Sequence, residues 1–184
     1  MTPSTWLLAA LLAVTLCGQA HAQGTRAEDH RRLADQIAAR FDEPATVETV
    51  RRFGAIALIR AEFTTRANSN EQYLVRDRSG ALRMVAEVAE AFRRDAEAAL
   101  APRHADAAMW PATQAFLGTR ITADGQVTLR FALPITDACR ACAVIGVAQV
   151  ALDFDAGGAY RGARLLRAAP LAGTEAWDRG AVTR

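Results

Sequence analysis

Lysine is absent: all 22 basic residues of the 184-residue chain are arginine. Without a lysine amine, Schiff-base chemistry and a phosphate-loop lysine are excluded. Serine is nearly as scarce. Beyond the leader described below only Ser69 and Ser79 remain, both in polar, turn-like stretches and neither in a G-x-S-x-G setting, which argues against a serine hydrolase. Cysteine is limited to Cys17, Cys139 and Cys142, too few for an iron–sulfur cluster on four thiolates. The formal net charge is +2 with both signs interspersed along the chain, so no basic field for nucleic acid is expected.

What is present begins with an uncharged apolar run, "WLLAALLAVTLC", followed by "GQAHAQ" with small residues at Ala20 and Ala22. Its length suits a secretory h-region and is short for a bilayer span. Residues 1–22 are therefore expected to be a cleaved signal peptide, with Gln23 as the mature N-terminus and a periplasmic or secreted location. The leader has no arginine, so its n-region charge falls to the amine of Met1. A lipidated Cys17 is the lesser reading, because Leu16 stands where such processing sites want a small residue. No stable membrane span is expected in the mature protein.

The remainder, 23–169, reads as one domain followed by a flexible tail over 170–184 that contains Trp177. Thr25 and Glu28 have capping-box spacing, and Leu33, Ile37 and Phe41 then recur every four residues, which predicts a helix over about 26–41. "ATVETVRRFGAIALIRAEFTT" predicts two strands around Gly54, and "EQYLVRDRSGALRMV" two more around the turn Asp77 to Gly80. Val85, Val88, Ala89, Phe92, Ala96, Ala99 and Leu100 form one stripe of a helix running to about Leu100. "RHADAAMW" reads as an irregular connection and "ATQAFLG" as one further helical turn.

Asp124-Gly125 predicts a hairpin, after which Val127, Leu129, Phe131 and Leu133 alternate as a half-buried strand. Ala143 to Phe154 and Ala159 to Arg167 follow as strands around Gly157-Gly158. The order predicts an α+β fold, a mostly antiparallel sheet with helices packed on one face. Two helix-plus-sheet units, 26–85 and 86–169, sharing a core are the second arrangement it permits.

Cys139-Arg140-Ala141-Cys142 is the motif that carries chemistry. Dithiol oxidoreductases place such a pair at a helix N-terminus, where the dipole stabilises a thiolate, but here "AVIGVAQVALDF" follows and is β-like. Haem attachment needs a histidine where Ala143 stands. Zinc would need two further ligands, and His30 and His104 fall at unrelated spacing. A structural disulfide is the leading reading, and no cofactor is expected. Asp153 and Asp155, two residues apart, are a second candidate, as paired carboxylates or calcium ligands or simply as a solvated strand end.

Two functions stand. The first is an exported, non-catalytic binding or structural domain with Cys139–Cys142 as a clip, its sheet face taking a protein, peptide or small apolar ligand. The alternative is a periplasmic thiol–disulfide protein that attacks with Cys139 and resolves with Cys142.

Overall fold

The computed structural model describes residues 27–171. The leader, Cys17, Thr25 and Trp177 lie outside them. Helix α1 occupies 27–41, and four strands follow as an antiparallel meander: β1 (Ala45–Phe53), β2 (Ile56–Phe63), β3 (Glu71–Arg76) and β4 (Leu82–Met84). Two short helices, α2 (Val85–Glu90) and α3 (Arg93–Leu100), lead to a second antiparallel sheet. It is built from β5 (Ala107–Met109), β6 (Ala115–Ile121), β7 (Val127–Asp137), β8 (Val144–Phe154) and β9 (Tyr160–Pro170). Its order is β5-β7-β8-β9, and β6 also pairs with β7.

The first sheet is buried on both sides, and β2 shows why. Ala57, Ile59, Ala61 and Phe63 join Leu74 and Met84 against Leu33 and Ile37 of α1. The alternate residues Ile56 and Leu58 join Val75 in the core between the sheets, facing Leu129, Phe131, Val150 and Leu152. A strand covered on both faces reads as a continuous apolar run, and "IALI" is one. Helices on one face of a single sheet therefore does not describe the molecule: α1 covers the outer face of the first sheet, while α2 and α3 put Val85, Ala89, Ala96 and Leu100 into the inter-sheet core. That core draws on both halves of the chain.

Five local expectations are also corrected. The helix through Leu100 is broken, with Phe92 leaving helical geometry at φ −104° and ψ 1° and its N–H reaching back to Ala89 O. The break keeps α2 on β3 while α3 turns toward β5 and β9, and it leaves Ala99 exposed. "ATQAFLG" is no helical turn but the start of β6, and the "RHADAAMW" connection contains β5. β7 continues through Pro134, whose carbonyl accepts from Trp110 N–H at 3.1 Å, and β9 continues to Pro170. The turns fall where expected, with φ of 60° at Gly54, 82° at Gly125 and 82° at Gly158.

The inner face of the second sheet is closed. Leu129, Phe131 and Leu133 have no exposed surface, so this apolar face is core and offers nothing to a ligand.

One end of the sandwich is held by Asp77. Its carboxylate accepts from Ser79 N–H, Ser79 Oγ and Arg83 Nη1, the last at 2.7 Å, and Arg83 lies 4.3 Å over the Tyr160 ring on β9. Burial pushes the Asp77 carboxyl up, but hydrogen bonds from Ser79 and Arg83 outweigh it and hold it below the usual range. A depressed carboxylate stabilises the fold above its unfolded pKa, and that contribution is lost as pH falls through the folded value. Asp77→Asn should cost about 2 kcal/mol at neutral pH. The gap to the parent should close as urea unfolding is repeated from about pH 4 downward.

Candidate functional site

The cysteines sit at the tip joining β7 to β8. Cys139 N–H bonds Asp137 O at 2.8 Å and Cys142 N–H bonds Cys139 O at 3.0 Å, which folds the four residues into a tight turn. Ala138 enters it at φ 66°, anchored by its N–H on Asp106 O at 2.8 Å. The sulfurs lie at disulfide-bonding distance with Cα atoms 5.1 Å apart. Cys139 and Arg140 are exposed and Cys142 is half-buried. Val144 then opens the 11-residue strand β8.

Beside this tip lies an open groove of about 510 Å³ whose wall includes Arg140. Arg66, Glu87, Glu90, Arg93, Trp110 and Pro111 are among its other lining residues. Trp110 is fixed by its indole N–H, which donates to Thr136 Oγ1 at 2.7 Å. Arg66 is committed elsewhere: it forks onto Glu43 at 2.6 and 3.1 Å and stacks 4.2 Å over Phe63. The hydrogen bond from Arg66 is what lowers the Glu43 carboxyl. Arg93 is paired with Glu90 at 2.8 Å. Arg140 and Glu87 make no ion pair among the described residues.

Two buried glutamines hold the groove walls together. Gln72 Nε2 donates to Ser69 O at 2.7 Å and to Ala112 O at 3.3 Å, one carbonyl from each wall. Gln114 Nε2 donates to Gln72 Oε1 at 2.9 Å, and Gln114 Oε1 accepts from Tyr73 N–H. Sequence reading missed this pair, because nothing in a lone glutamine marks a partner 42 residues away.

The remaining candidates are dispersed. Burial raises Asp153, but bonds from Arg164 at 2.8 Å and Thr128 at 2.7 Å outweigh it, so its carboxyl stays low. Asp155 accepts from Ala159 N–H at 2.8 Å, the chief reason its carboxyl is lowered, and pairs with Arg161. Each carboxylate is thus occupied in holding the β8–β9 hairpin. His104 follows α3, with its N–H on Leu100 O, and His30 lines a second, mixed-charge cavity between α1 and β1. Among the described residues no three His, Cys, Asp or Glu side chains converge as a metal site, and no helix is long and apolar enough to cross a membrane.

No family model, characterised protein or solved structure matches the chain.

Proposed function

We propose that the protein is an exported, non-catalytic binding domain whose Cys139–Cys142 disulfide is a structural clip. The observation that carries this reading is β8: an extended strand, not a helix, follows Cys142. A reactive dithiol relies on aligned helix amides to stabilise its thiolate, and this tip has none. The clip instead fixes the turn that presents Arg140 to the Trp110 groove. That groove combines an anchored indole, a proline and uncommitted charges of both signs, which suits a protein or peptide segment better than a small apolar molecule.

Alkylation before and after reduction should find the two thiols paired in exported material, and the same mass spectra should begin the chain at Gln23. Cys139→Ser with Cys142→Ser should lower stability by about 2 kcal/mol, the loop-closure value for so short a ring. The oxidised protein should not turn over in an insulin-reduction assay. The exposure of Cys139 favours the alternative reading, and turnover there would establish the thiol–disulfide protein in its place.

A further inference from the structure

The row of β2 side chains beneath α1 runs Ala57, Ile59, Ala61, Phe63. At one end the rings of Phe41 and Phe63 fill the space, their centroids 5.9 Å apart. At the other end Ala57 offers only a methyl group, and a cavity of about 930 Å³ remains between α1 and the sheet. That volume is within the usual range for small-molecule sites. The cavity shares no lining residue with the Trp110 groove.

Register sets its chemistry. Ala57 stands across from Arg52 on β1 and from Arg76 on β3. Directly paired residues share a face, so the two arginines flank Ala57 on the α1 side, with Cα atoms about 10 Å apart across the three strands. Both line the cavity. Neither makes an ion pair among the described residues, and Arg76 has a neutral partner, Gln36 Oε1 of α1, at 3.3 Å. The other charges of the lining are mostly spent: Arg32 is taken by Glu28 at 2.6 Å, and Glu48 by Arg60 at 2.7 Å. Asp29, exposed on α1, is the lining carboxylate with no ion pair among the described residues.

What lies between the arginines selects the kind of anion. Ala57 separates them, and Leu33 and Val50 add further apolar wall. A guanidinium is best matched by a carboxylate fork, and one carboxylate cannot satisfy two guanidiniums rooted so far apart. Inorganic phosphate would need both heads drawn to a single point and would leave the apolar wall unused. A molecule with a carboxylate at each end of a short hydrocarbon body matches both arginines and the floor between them. We infer that the cavity under α1 is a binding site for a small aliphatic dicarboxylate, with Arg52 and Arg76 each taking one end.

The test is isothermal titration of the full chain with succinate and with adipate, against acetate and inorganic phosphate, at constant ionic strength. At least one of the dicarboxylates should bind about tenfold more tightly than acetate or phosphate. Arg52→Gln and Arg76→Gln should each weaken it about tenfold, to the level of acetate, because each removes one fork. Asp29→Asn should not weaken it. Arg130→Gln with Arg167→Gln removes two exposed arginines from the second sheet and should leave binding unchanged. The bound dicarboxylate should also slow amide exchange in α1, which it ties to the sheet. Urea midpoints show which variants fold, and Arg52→Gln, at an exposed position, carries the test should Arg76→Gln fail to. No binding of either dicarboxylate, affinity no better than that of acetate, tighter binding of phosphate, or an equal loss from the Arg130 and Arg167 pair would each overturn the inference.

Discussion

Phe131→Ala is expected to destabilise the protein by about 3–5 kcal/mol, measured by urea unfolding. The ring has no exposed surface and stands where the two sheets meet. Its centroid lies 5.5 Å from that of Phe116 on β6 and 5.8 Å from that of Tyr73 on β3, both tilted, so one truncation removes contacts to both sheets. Its β8 neighbour Val150 is also fully buried and pinned by the ladder, so collapse into the vacancy is opposed. A loss below about 1 kcal/mol would show that the inter-sheet core does not close around this ring.

The second large effect runs the other way, from too much volume. Gly146 on β8 has ordinary backbone geometry and no need of a left-handed residue; it is glycine because there is no room for more. A Cβ there would lie 2.8 Å from the Ala169 carbonyl oxygen on β9 and would collide with Leu100 Cδ2 of α3. Leu100 can swing, but the β9 backbone cannot without breaking its ladder. Gly146→Val should therefore cost about 3 kcal/mol, the upper part of the overpacking range. Adding Leu100→Ala should recover only the side-chain share of that loss, so the double-mutant cycle should show favourable coupling that stops short of full rescue. Independent additivity of the two changes would mean that α3 does not rest on this glycine.

What could be read in the chain, and what could not, follows from the range of each interaction. The four-residue recurrence of Leu33, Ile37 and Phe41, the alternation from Val127 to Leu133 and the Asp124-Gly125 turn are local signals, and each appears in the fold at the expected place. The break at Phe92 left no mark, since no glycine or proline stands there and its cause is the diverging demand of β3 on α2 and of β5 and β9 on α3. The stripe gave each helix an apolar side but not the sheet face it would cover. "IALI" did carry the sign of two-sided burial, and reading it only as strand propensity concealed the second layer.

At the site, the cysteine pair and its strand setting were legible because four adjacent residues contain the motif. The Trp110 groove was not, since its walls come from the β2–β3 tip, α2, α3 and the β5–β6 connection. Register was hidden more deeply still: Arg120, Arg130, Arg164 and Arg167 come to share the outer face of the second sheet only through strand pairings that no local signal announces.

The two apolar clusters share no residue, although both use β2. Leu33 and Ile37 of α1 touch only the outer one, so α1 can lift away while every contact between the sheets stays intact. The molecule consequently has two grades of opening. In amide exchange α1 should fall in the shallow grade, its opening exposing the odd-numbered side chains of β2. The amides of β7 and β8 wait for the whole sandwich to part. Slow protease attack would then begin at α1, and β2 would be the first strand to present a bare apolar face to another copy of the chain.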